Sequence, residues 1–238
     1  SYGAISKPAV RALSLGAAQA GCWLNTGEGG LAPYHLEGDC DVIMQIGTAK
    51  YGIRDEHGNF SPQRAKELSK VVKAFEIKLS QGAKPGHGGV LPAAKVSPEI
   101  AATRGVPVGQ DCVSPAAHAA FDSPRGLLAF VERLRNLSGG KPTGFKLAIG
   151  HPWEWFGIAK AMQETGIVPD FIVVDGAEGG TGAAPAEFID HVGLPMHEAL
   201  MLVHNTLVGL GLRDQVRVAA AGKIVSAFDI ARTLAMGA

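Results

Sequence analysis

The sequence predicts an α/β protein, a (β/α)8 TIM-barrel incomplete at its C-terminal strand. Three observations carry that expectation. Short apolar runs alternate with segments of helical period along the 238 residues, the pattern of βαβ units around a parallel sheet. Glycine-rich stretches, GEGG, GAKPGHGG and GAEGGTG, follow the strand candidates, where barrel enzymes place their working loops. The first strand candidate leads into AISKPA with no G-x-G-x-x-G, which counts against the rival, a doubly wound nucleotide-binding sheet.

Gly3–Ser6 reads as the first strand. Pro8 then sits at the start of a helix through Gln19, where its missing N–H costs nothing. Cys22–Asn25 is a second strand running into NTGEGG, and Val42–Ile46 a third, followed by the turn-rich DEHGN. Ser61 caps a helix through Val72 with Pro62 just inside it. FEIKLS, Phe75–Ser80, alternates like a strand. The stretch from Gln81 to Phe121 is rich in glycine, proline and alanine and predicts only a short helix near Ser97–Thr103. A loop that long in a compact domain is usually functional or disordered.

Regularity resumes with a helix from Ser123–Pro124 to Leu137. Strands follow at Phe145–Ile149, Phe171–Asp175 and Val216–Ala220, with helices at Trp153–Thr165, Met196–Leu210 and Ser226–Met236. That makes seven strands, ending on a helix that should deliver an eighth.

Composition narrows the class. Apolar residues make up 46% and charged residues 18%, so the chain can bury a core and is not disordered. A net charge of +0 leaves no basic footprint for nucleic acid. No run of eighteen apolar residues and no leader pattern appears, which predicts a soluble chain. Cys22, Cys40 and Cys112 are far apart and never in CxxC spacing. Neither a disulfide framework nor a zinc site is expected, and a reducing, cytoplasmic setting is.

The loops after the strands form a coherent inventory: Ser6–Lys7, NTGEGG, QIGTAKYG, QGAKPGHGG, the lysine of FKLAIG, DGAEGGTG and AAGK. Such a set suits a flat, anionic cofactor. Glycines admit a ring face, a lysine opposes charge on a reduced ring, and late glycines before a helix hold a phosphate.

SYGAIS, NTGEGG, QGAKPGHGGVLP, GFKLAIG and GGTGAAP, in this order, resemble the FMN-binding domain of the glutamate synthase family, as does LPMHEALMLVHNTLVGLGLRDQVRVAAAGK. The resemblance covers nearly the whole chain, so residues 1–238 read as a single, partial FMN-binding barrel domain. It implies reduction of 2-iminoglutarate, formed from 2-oxoglutarate and ammonia, to L-glutamate. It also implies an electron-donor protein or domain and a glutaminase supplying ammonia. By position, the flavin would rest against Gly3, Ala4, Ile5 and Ser6, with Asn25 and Gln45 from the next loops. Lys146 would face its N1–C2 edge, Gly179, Gly180 and Thr181 would lie beside it, and Gly222–Lys223 would hold the phosphate. Lys84 and Arg104 would grip the keto acid, since a dicarboxylate needs two cations and arginine binds carboxylate bidentately. Glu28 would either orient a substrate nitrogen or cap its loop.

Departures from the family pattern accompany the match. His87 stands where glutamate is usual and Val90 where glutamine is usual, which removes a polar contact to the keto acid. DGAEGGTG replaces GHDGGTGA and brings Asp175 and Glu178 toward the ring. The family's 3Fe–4S cluster has no ligands among Cys22, Cys40 and Cys112, and these residues are expected to belong to a longer protein. Rival expectations are another FMN barrel oxidoreductase and an FMN-binding barrel without turnover. Against the first, His191 and His204 lie on helix-like segments rather than after a late strand.

Overall fold

The computed structural model describes residues 1–180 and 183–238. It divides into two compact units, Ser1–Lys78 with Gly88–Ala120 and Arg133–Pro142, and Leu79–His87 with Phe121–Glu132 and Thr143–Ala238.

The first unit opens with helix α1, Lys7–Ala20, capped by the Ser6 hydroxyl accepting from the Ala9 amide. Strand β1, Leu24–Asn25, pairs in parallel with β2, Val42–Ile46. Helix α2, Pro62–Leu68, is capped by Ser61, and β3, Ala74–Lys78, lies parallel to β2. The long glycine- and proline-rich stretch is ordered around a small antiparallel pair, β4 at Val90–Leu91 and β5 at Cys112–Val113, with α3 at Pro98–Arg104 between them. Sequence pattern missed that pair because two-residue strands carry no periodicity.

After α4, Pro124–Leu137, the second unit holds β6, Thr143–Leu147, then α5, Pro152–Thr165, and β7, Phe171–Asp175. Helix α6, Met196–Gly209, β8, Arg217–Ala221, and α7, Ala227–Ala235, complete it. Strands β6, β7 and β8 are parallel neighbours in that order.

The expected strand at Gly3–Ser6 is not formed. Tyr2 and Ile5 make an isolated bridge around a turn in which the Ala4 and Ile5 amides donate to the Ser1 carbonyl. Gly3 sits at φ +94°, a conformation glycine adopts without cost, and that reversal ends any extended run. The helix expected to reach Val72 stops at Leu68, because Lys70 and Val71 turn on the Glu67 and Leu68 carbonyls.

Each three-stranded ribbon has two unlike faces, since successive side chains alternate. In the first unit, Val42, Met44, Ile46, Phe75 and Ile77 are buried on one face. The register pairs Gln45 with Glu76 on the other, which also carries Asn25 and Lys78. In the second unit, Phe145, Leu147, Ile172 and Val174 are buried on one face, while Lys146 and Asp175 occupy the opposite parity. A barrel strand has this design, apolar toward its helices and selectively polar toward the interior and mouth.

Candidate functional site

In the first unit the polar strand face is a connected network. The Glu76 carboxylate, 1% exposed, accepts from Gln45 Nε2 at 2.6 Å and from Asn25 Nδ2 at 3.1 Å. Asn25 Oδ1 in turn accepts the Gly27 amide at 2.8 Å and so shapes the NTGEGG loop. The two side-chain amides expected to touch a flavin therefore point their donors at a buried carboxylate. Next along the strand, Lys78 Nζ meets Glu28 at 3.2 Å, the two side chains 13% and 27% exposed. Glu76 and Lys78 were missed as site residues, although the alternation F-E-I-K, charged residues on one parity of a buried strand, is a signal for them.

His118 backs this face. Its Nε2–H donates to the Lys78 carbonyl at 2.8 Å, and burial, with the Lys50 charge adding, pulls its pKa down to about 4. The unfolded value is about 6.5, so the unfolded chain binds the extra proton first on acidification. The His118 contribution is present in full above pH about 6.5 and is lost as pH falls toward 4. Unfolding free energy is expected to fall by about 2 kcal/mol between pH 7 and pH 5 on this account. In His118→Gln that part of the slope disappears, which urea unfolding at the two pH values checks.

Arg104 ends α3 and is 5% exposed. Its guanidinium donates to the Tyr2 carbonyl at 3.2 Å and lies 4.9 Å from the Tyr51 ring centroid. Its buried Nε has no hydrogen-bond partner among the described residues. A β-carbon on Gly3 would come 3.1 Å from the guanidinium, so the Gly3 turn is packed against it. Tyr2 and Tyr34 anchor this corner by donating to the two oxygens of Glu99. Burial and the Glu99 carboxylate push the Tyr2 phenol up to about 12.

In the second unit, Lys146 Nζ pairs with Asp175 at 3.2 Å. The same carboxylate accepts the Gly82 amide at 2.9 Å, so it ties β6 and β7 to the loop that carries Lys84. Lys84 is 5% exposed, and its amide closes a turn on the Gln81 carbonyl at 3.1 Å. His87 stacks obliquely on Phe188 at 5.7 Å. Val90, in the first unit, is exposed.

Gly179, at φ +111°, and Gly180 have open space where a β-carbon would stand. Thr181 lies outside the described residues. Glu178 accepts the Met196 amide at 2.8 Å, at the start of α6. Gly222 has φ +144° and Lys223 φ +46°, and Lys223 Nζ lies 3.8 Å from Asp190 with its side chain mostly in solvent. His204 lies on α6 and receives Arg213 Nε at 3.1 Å, a helix-to-loop contact. No group of three metal-ligating side chains, and no helix long and apolar enough to cross a membrane, occurs among the described residues.

In the first unit, the buried Arg104 Nε, without a hydrogen-bond partner among the described residues, suits an anion. In the second unit, the open glycines after β7 leave room for a flat face, and Lys146 stands on the polar strand face. The strands with their helices belong to an incomplete (β/α)8 barrel. A flavocytochrome b2 variant with pyruvate bound is similar in fold, with TM-score 0.55 and 13% identity over 96% of this chain and 51% of that one. Mandelate oxidase with (S)-4-hydroxymandelic acid gives TM-score 0.52 and 16% identity over 96% and 60%.

The family profile described as conserved region in glutamate synthase matches residues 1–238, and the chain belongs to that family. It is 47% identical to the glutamate synthase large subunit-like protein YerD of Bacillus subtilis, over all of this chain and 46% of that protein. It is 38% identical to the archaeal glutamate synthase (NADPH) of Methanocaldococcus jannaschii, over all of this chain and 44% of that protein. The chain thus spans about half the length of these curated relatives.

Proposed function

We propose that this chain is the flavin-binding domain of a glutamate synthase-like oxidoreductase, holding FMN and reducing 2-iminoglutarate to L-glutamate. The observation that carries the reading is the Lys146–Asp175 pair on the polar strand face, beside the QGAKPG turn, in a chain of this family.

FMN, when bound, would supply the hydride for reduction of the imine. The chain's own residues do the rest. Lys146 presents a cation where a reduced ring carries negative charge, an electrostatic role whose value grows out of water. Glu76 orients the Asn25 and Gln45 amides, and with them the NTGEGG loop. Family position assigns Gly3, Ala4, Ile5 and Ser6, a turn rather than a strand, to the flavin. It likewise assigns Gly179, Gly180 and Thr181 to the flavin and Gly222–Lys223 to its phosphate. Family position assigns Arg104 and Lys84 to the two carboxylates of the keto acid, and burial of both cations supports the assignment. Electrons come from a donor protein or domain, ammonia from a glutaminase, and any 3Fe–4S cluster from residues outside this chain.

Full-length protein purified from cells, or mixed with FMN and desalted, is expected to be yellow and to hold about one flavin per chain. Colourless protein that retains no flavin after mixing overturns the reading.

A further inference from the structure

Asp175 has two partners through one oxygen. Lys146 Nζ and the Gly82 amide both meet Oδ2, at 3.2 and 2.9 Å. The Lys146 and Asp175 side chains are only 19% and 13% exposed, so solvent screens the pair far less than it would a surface one. Near it, Ser80 Oγ accepts the Ala148 amide at 2.8 Å and donates to its carbonyl at 3.2 Å. The Gly82 amide fastens the loop to the end of β7.

Resting on the flavin reading above, we propose that Asp175 is a positioning residue with two separable tasks. Its charge aims Lys146 and partly offsets the cation presented to the flavin. Its acceptor oxygen fastens the Gly82 turn, and with it Lys84, at the height of the ring.

The two tasks separate by substitution. Asp175→Asn keeps an acceptor for the Gly82 amide but removes the charge. Asp175→Ala removes both. Loss of the negative charge leaves Lys146 uncompensated, favours the anionic reduced flavin and raises the flavin potential. A tenfold rise in the two-electron reduction equilibrium corresponds to about 30 mV.

The test uses full-length protein and three readouts: flavin potential, KM against kcat for the keto acid, and amide hydrogen exchange at Gly82. Asp175→Asn should raise the reduction equilibrium about tenfold with Gly82 still protected. Asp175→Ala should raise it similarly, increase KM about tenfold with a smaller change in kcat, and speed Gly82 exchange at least tenfold. Should either variant fail to fold, Asp175→Glu keeps the charge but shifts the oxygen by one methylene. It is expected to leave the potential near wild type and to speed Gly82 exchange. An unchanged potential in Asp175→Asn, or unchanged Gly82 exchange in Asp175→Ala or Asp175→Glu, overturns the proposal. If wild-type protein held no flavin, the flavin reading would fall, and Gly82 exchange would still decide the anchoring task.

Discussion

Arg104→Ala is expected to lower kcat/KM for the keto acid at least about thirtyfold in the full-length enzyme. Truncating one partner of a buried, hydrogen-bonded charge pair costs about 2–5 kcal/mol, and about 1.4 kcal/mol is a factor of ten in rate. The arginine is well prepared for such a pair. It is buried, it rests on Tyr51, and its Nε has no acceptor among the described residues. Arg104→Lys keeps a charge but loses the planar fork and the ring contact, so a loss of about tenfold is expected from one hydrogen bond forgone. The guanidinium also holds the Tyr2 carbonyl, so loosening of the Gly3 turn has to be separated from loss of substrate contact. Steady-state kinetics with flavin content measured in parallel does this, because turn loosening lowers retained flavin and substrate contact does not. A kcat/KM within threefold of wild type would remove Arg104 from the keto-acid site.

Gly82→Ala should be the most disruptive small change in the second unit. A β-carbon there would stand 1.6 Å from the Gly176 carbonyl oxygen and 2.4 Å from its carbon. Both are backbone atoms at the end of β7, so no side-chain rotation relieves the clash, and the two loops must part. Overpacking of this kind costs about 1–3 kcal/mol, occasionally more. Parting the loops also breaks the Gly82 amide bond to Asp175 and moves the turn that carries Lys84. The expected outcome is a lower unfolding midpoint together with a raised KM for the keto acid. A variant with wild-type stability and KM would show that the approach of these loops is not needed.

The alternation of apolar and polar residues made most of the architecture legible. Phe171–Asp175 and Val42–Ile46 were expected within the bounds observed, and Ser61 caps its helix as serine before proline suggests. Gly3–Ser6 was misread because its apolar content resembles a strand, whereas a glycine with positive φ turns the chain back within two residues. The short antiparallel pair at Val90 and Cys112 rests on contacts distant in sequence, which a local pattern cannot encode.

Candidate site residues stand out in the sequence where cations sit among glycines or small residues, as Lys146, Lys84 and Arg104 do. Glu76 was hidden inside an apolar run. It becomes visible only when the register sets it beside Gln45 and shows two amides converging on it. The role of Asp175 depended likewise on the neighbouring strand and on the amide of a loop more than ninety residues away.

A crystal structure of the full-length protein with FMN and 2-oxoglutarate tests the central claim most directly. The account predicts Lys146 Nζ at the N1–C2 edge of the ring, with Asp175 behind it, and Arg104 and Lys84 on the carboxylates of the keto acid. A flavin bound elsewhere, or a keto acid that leaves Arg104 and Lys84 untouched, would contradict it.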